Sequence, residues 1–179
     1  VQSEMRGYSI PGQEQFVASL ELAAANGNGD AAVKLDSARK VAANARRAAE
    51  ADPATYAAVT EKREIPIIAW DKPESVVESM AGRFREAEVA ADGLGVGVKY
   101  FSPADRARLK AIADKGGAEA LQTATLLVEG ADAAGVEPLS VMAEIGEGAP
   151  LLATAGALMA QGVPTEAAMK ILAGKAAMG

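Results

Sequence analysis

The stretch DGLGVGVKYFSP, residues 92–103, decides how the chain is read. Three glycines stand at alternate positions inside a sequence that otherwise looks helical. A dinucleotide fingerprint needs G-x-G-x-x-G between a strand and a helix. Here Gly93, Gly95 and Gly97 are evenly spaced, Val98 stands where the third glycine of that motif belongs, and the preceding element reads as a helix. A phosphate-binding loop of the Walker type needs Lys followed by Ser or Thr, but Lys99 is followed by Tyr100. Ser102-Pro103-Ala104-Asp105 is a helix start: a serine cap, proline at the first helical position and an acid in the first turn. Asp105 there disfavours an anion at that helix end. The stretch therefore reads as a hinge. The chain leaves one helix at Asp92, Val96 and Val98 hold extended residues against the core, Tyr100 and Phe101 pin the joint, and Ser102 launches the next helix.

Outward from this joint the chain reads as all-α. Half of the 179 residues are hydrophobic and only 4% are aromatic. Alanine dominates, the best helix former and a residue that lets helices approach closely. A first helix follows Pro11 with Phe16 and Leu20 inward, and AsnGlyAsnGly at 26–29 ends it. Asp30 is expected to cap a long helix with Val33, Ser37, Val41 and Ala45 as its inward stripe. Asp52-Pro53 closes that helix and opens a short one through Lys62. EIPIIAW, 64–70, reads as an extended linker because Pro66 blocks a helix and three isoleucines favour extension; its isoleucines and Trp70 are expected to lie over the core. A helix from Asp71 or Lys72 follows, with Val76 or Val77, Met80, Phe84 and then Ala87 or Val89 inward. After Ser102 come helices bearing Leu109, Ile112 and Ala113; Leu121, Ala124, Leu127 and Val128; Leu139, Met142 and Ile145; then LLATAGALMAQ from Pro150; and a last one from Thr165. The expectation is about eight or nine short, mostly antiparallel helices. It divides into an N-terminal helical segment, 1–63, and a C-terminal bundle, 64–179, or runs as one continuous domain. LKAIADK (109–115) echoes MKILAGK (169–175), but two copies do not make a repeat protein.

Composition narrows the chemistry. The chain has no cysteine and no histidine. That removes thiol nucleophiles, disulfides and every Ser-His-Asp arrangement. The net charge of −6 disfavours nucleic acid as a partner. No run of about 18 apolar residues could span a bilayer. The first residue is Val and the last helix stops at Gly179, which suggests a piece of a longer polypeptide. Glu144 and Glu147 flank Gly146, and two carboxylates held about 5–9 Å apart can cleave glycosides. The competing reading is a solvated turn. The basic groups Arg46-Arg47, Arg83 with Arg85, and Arg106-Arg108-Lys110 are interleaved with acids and read as charged, solvated faces, with helix pairs such as Arg46–Glu50. Trp70, Tyr100 and Phe101 read as core plugs. The apolar C-terminal helices, with Ala153, Ala155, Gly156 and Ala160, suit either an internal core or a seam between subunits. No residue is assigned a catalytic, cofactor-binding or metal-binding role.

The order of DPATY (52–56), AWDKPESV (69–76), GRF (82–84), YFSPADRARL (100–109) and APLLATAGALMAQGVPTEAAMKILAG (149–174) resembles the alanine-rich helical region of large virion proteins of tailed phages and prophages of alphaproteobacteria. The likeness covers about two-thirds of the chain by order of features. Some of those proteins carry a lytic transglycosylase or peptidase domain elsewhere. The transglycosylase signature, a Glu-Ser pair followed by a Gly-Leu-Met-Gln type stretch, is absent from this sequence, so no catalytic residue is carried over. The resemblance implies a non-enzymatic structural or protein-interaction role in a particle, by self-association or by packing on other virion proteins, and a location in the virion or the bacterial cytoplasm. Two alternatives stand beside it: part of a peptidoglycan-cleaving virion enzyme whose catalytic domain lies elsewhere, and a helical adaptor.

Overall fold

The computed structural model describes residues 9–178, with side chains through Leu172. Among the described residues there are nine helices and no strand. They are α1 (Ile10–Ala25), α2 (Gly29–Ala51), α3 (Pro53–Thr60), α4 (Val76–Leu94), α5 (Pro103–Lys115), α6 (Gly117–Ala134), α7 (Pro138–Ile145), α8 (Pro150–Ala160) and α9 (Thr165–Met178). The fold is all-α, and residues 63–69 form the extended linker.

Helices α1 and α2 make an antiparallel hairpin. On α1, Ile10, Gln13, Val17, Leu20 and Ala24 recur at alternating steps of three and four and are buried or half-buried. On α2, Ala31, Leu35, Ala38, Ala42, Ala45 and Ala49 do the same. This is the spacing of a coiled-coil seam, in which each side chain fills a hole on the facing helix. Larger residues on α1, Phe16, Val17 and Leu20, pack on Ala38 and Ala42 of α2. The stripe expected for α2 holds in part: Val41 packs on this seam and Ala45 is half-buried, but Ser37 is exposed and Val33 is 80% exposed, and alanines take the remaining inward positions because their small side chains let α1 come close. The helix also starts earlier than expected. Asn28, not Asp30, is the cap, accepting from the Ala31 N–H at 3.1 Å.

The main core runs from Ala54 on α3 to Leu172 on α9, so apolar packing spans the linker. Its centre is an aromatic trio. Phe84 meets Tyr100 edge-on at 5.3 Å and Phe101 at 5.4 Å between ring centroids, the arrangement aromatic quadrupoles favour. Met80, Phe84 and Ala87 face this core from α4, Leu109 and Ile112 from α5, and Leu121, Ala124 and Leu127 from α6. Val89 points to solvent, as does Leu139 on α7. Two helix crossings rely on glycine. A Cβ at Gly130 of α6 would lie 2.5 Å from the Met80 sulfur, and one at Gly156 of α8 would lie 2.5 Å from the Met142 sulfur.

The linker and its exit differ from expectation. Only Ile68 is buried; Ile65 and Ile67 are exposed, and Trp70 is half-buried against the core. Residues 70–75 are turns, and α4 begins at Val76 rather than at Asp71 or Lys72. Pro73 therefore lies in the turn before the helix. The Ser79 hydroxyl accepts the Ala69 N–H at 2.8 Å, tying the linker to α4.

Candidate functional site

The glycine-rich stretch is a helix terminus followed by a buried corner. Helix α4 continues two residues beyond Asp92, and Gly95 takes the left-handed conformation, φ 71°. The Val96 N–H reaches the Ala91 carbonyl at 3.0 Å, closing the terminus in the manner of a Schellman motif. Gly93 and Gly97 have open space where a Cβ would be. Val98 is exposed, so the expected valine packing is confined to the half-buried Val96. At Ser102 the expected cap is present, its hydroxyl accepting from the Asp105 N–H at 3.0 Å. The Asp105 carboxylate takes the Trp70 indole N–H at 2.8 Å, and Arg108 lies over the Trp70 ring at 5.3 Å.

The chain between these caps passes through a centre of buried charge. Tyr100 and Phe101 lie between helices and have no helical partner for their N–H groups, which must be satisfied some other way. Glu144 of α7 supplies both: its carboxylate accepts from the Tyr100 N–H at 2.6 Å and from the Phe101 N–H at 3.1 Å. Arg106 stands beside it, 3.4 Å from the carboxylate, and also donates to the carbonyls of Phe101 at 2.8 Å and Ala51 at 3.2 Å. From the other side comes Arg83 of α4, 2% exposed. It donates to the Tyr100 carbonyl at 3.1 Å, the Pro66 carbonyl at 3.1 Å and the Thr55 hydroxyl at 3.3 Å, and it pairs with the Asp52 carboxylate. Asp52 in turn caps α3, accepting from the Thr55 N–H at 3.2 Å and the Thr55 hydroxyl at 2.7 Å. Arg83 and Arg106 thus join the end of α2, the linker, α4, α5 and the 100–101 corner.

The electrostatics follow from burial. Burial pushes the Glu144 carboxyl above the ordinary carboxylate range, against the opposing pull of the two N–H donors, Arg106 and Lys99. Burial also raises the Tyr100 phenol to about 12, with the Glu88 carboxylate adding to it. The Tyr100 hydroxyl reaches that carboxylate at 3.4 Å.

The two carboxylates weighed as a glycosidase pair occupy unlike settings. The Glu144 carboxylate is occupied by backbone N–H groups inside the core. Glu147 is exposed and lies 3.9 Å from Lys99. The solvated-turn reading holds for Glu147 and fails for Glu144. It fails likewise for Arg83, which sequence pattern grouped with Arg85 on a solvated face. Arg85 is exposed and donates to the Ala133 carbonyl at 3.1 Å. Arg46 pairs with Glu50 as expected, and also with Glu14 across the hairpin. Asp52-Pro53 was a legible cap, but its partner Arg83 lies 31 residues away, and no local pattern announces that pairing.

The surface formed by the described residues includes three concavities. A cleft of about 580 Å³ lies between α3 and α4, lined by Tyr56, Thr60, Arg63, Glu86 and Val89 among others. In it, Arg63 and Glu86 pair directly. A smaller hollow beside Trp70 and Arg108 reaches Glu119 and Gln122 of α6. The third is an apolar groove on the hairpin. Among the described residues, no group of three or more Asp or Glu side chains is placed to hold a metal ion, and no helix is long and apolar enough to cross a membrane. No family model matches the chain, and neither any curated protein nor any solved structure matches it.

Proposed function

We propose that the chain is a non-enzymatic structural and protein-interaction module of a phage or prophage virion protein. The biological setting comes from the resemblance of its DPATY, YFSPADRARL and APLLATAGALMAQG segments to virion proteins. The observation that carries a structural role is the use made of the buried charges. Asp52, Arg83 and Glu144 bind helix ends and backbone to one another, where a hydrolytic site needs a carboxylate facing a cleft and free to exchange a proton. An interaction role is supported by the α1–α2 hairpin, a two-helix element that packs on the rest of the molecule chiefly through the end of α2.

The test is incorporation. Particles released from an induced host are purified by density gradient and probed for the chain. The reading expects the chain to band with the particles in fixed proportion to the capsid protein, and a chain left wholly in the soluble fraction overturns it. A peptidoglycan-clearing assay checks the enzymatic alternative. Clearing that is lost with Glu147→Gln, a substitution at an exposed residue, would replace a structural role by a hydrolytic one.

A further inference from the structure

The apolar groove on the hairpin is lined by Val17, Ala42 and Ala43, with Glu14, Arg39 and Arg46 at its edges. Its charges are ordered. Glu14 and Glu21 stand seven residues apart on α1, and Arg39 and Arg46 stand seven apart on α2. Arg39 pairs with Glu21 at 3.0 Å and Arg46 with Glu14 at 2.6 Å. Each arginine therefore lies at the level of one glutamate along the hairpin, and these pairs are about half exposed. One edge of the groove is acidic and the other basic, with an apolar floor between them.

A surface of this kind has one self-complementary use. Two copies can face each other through a two-fold axis lying in the interface. If that axis runs along the hairpin, α1 of each copy lies over α2 of the other at the same level. Glu14 then meets the basic edge at Arg46 and Glu21 meets it at Arg39. If the axis runs across the hairpin, acidic edge meets acidic edge and arginine meets arginine, which is repulsive. Resting on the structural reading above, we propose that the hairpin pairs with the hairpin of a second copy in the first arrangement, with Val17, Ala42 and Ala43 forming the apolar floor of a four-helix bundle.

The experiment uses the full chain and light scattering with analytical ultracentrifugation. The expected result is a dimer. Ala43 is exposed on the hairpin, so Ala43→Glu should leave helicity unchanged. It should weaken the dimer on the order of a hundredfold, because a charge is carried into the apolar floor. A second variant reverses all four charges: Glu14→Arg, Glu21→Arg, Arg39→Glu and Arg46→Glu. It keeps every pair within a copy and between like copies. It should dimerise with itself and fail to form mixed dimers with the unaltered chain. Preferential mixed dimers would mean the crossed arrangement and overturn the proposal. So would a monomer at all concentrations, or a dimer indifferent to Ala43→Glu. These outcomes leave particle incorporation to be decided by its own assay.

Discussion

The carboxylate of Glu144 receives the backbone N–H of Tyr100 at 2.6 Å across 44 residues of sequence. Phe101 offers the same oxygen pair a second N–H. Removing the carboxylate leaves two buried donors without a partner, and such groups are costly because water cannot reach them. Glu144→Ala should therefore lower unfolding stability on the order of 3 kcal/mol, and Glu144→Gln, which keeps one acceptor oxygen, by about 1 kcal/mol. Urea titration followed by the fluorescence of Trp70, the chain's one tryptophan, measures both. Equal losses for the two variants would remove Glu144 from the role of backbone acceptor.

The same residue has a pH signature. Burial holds its folded-state carboxyl above the ordinary range, so the folded chain keeps the proton where the unfolded chain has released it. The stability from this shift is full below the unfolded value of about 4.3. It is lost as pH rises through the higher folded value. The stability of the natural chain relative to Glu144→Gln should thus fall as pH climbs from about 4.3. A relative stability that rises over that range would contradict the shift.

Arg83 and Asp52 form the other half of the centre. Arg83→Met leaves the Asp52 carboxylate buried beside no cation, at a cost of about 3–5 kcal/mol. Arg83→Lys cannot reproduce a planar donor set aimed at two carbonyls, a hydroxyl and a carboxylate, and should recover only part of the loss. Pairing Arg83→Met with Asp52→Asn removes the stranded charge. The double variant should be more stable than Arg83→Met alone, a non-additive outcome that a double-mutant cycle reads directly. Simple additivity would mean that the two residues act independently.

The glycine notches differ in how far they can give. At Gly130 a new Cβ meets the Met80 sulfur, Cγ and Cβ at 2.5, 2.8 and 3.3 Å; at Gly156 the nearest atoms are the sulfur and terminal methyl of Met142, at 2.5 and 2.6 Å. A methionine tip can swing aside more readily than its Cβ. Gly130→Ala should cost about 1–3 kcal/mol through overpacking, more than the gain in helix propensity of about 1 kcal/mol. Gly156→Ala should cost less. Thermal unfolding of the two variants gives the order, and a stabilised Gly130→Ala would show that α4 and α6 are not in close contact there.

Much of the fold was legible in local signals. Ser102-Pro103, Asp52-Pro53 and Gly116-Gly117 mark helix ends because capping and left-handed backbone depend on the residues at the end itself. The inward faces of α4, α5 and α6 were legible where large apolar residues recur at helical spacing. The hairpin seam is legible at Val41, which packs on it, but not at Val33, which outranks alanine in hydrophobicity yet faces solvent because close helix approach selects alanine. Glu144 and Arg83 escape local pattern for another reason. A charged residue on a helix looks solvated unless its partner is known, and these partners lie at Tyr100, Phe101, Asp52 and Pro66. The start of α4 at Val76 is hidden in the sequence because Pro73 suits a first helical turn as well as it suits the turn before one.

The charged centre also sets an order of assembly. The hairpin closes through neighbours such as Arg39 and Glu21, 18 residues apart, and can form as soon as residue 51 is available. The corner at 100–101 waits for Glu144, so during synthesis its two N–H groups stay open until α7 has emerged. Contacts over such separations form slowly, and an early-released chain exposes its unfinished core. A chain cut before Glu144 should therefore keep the hairpin contacts but leave the bundle around the 100–101 corner unsettled.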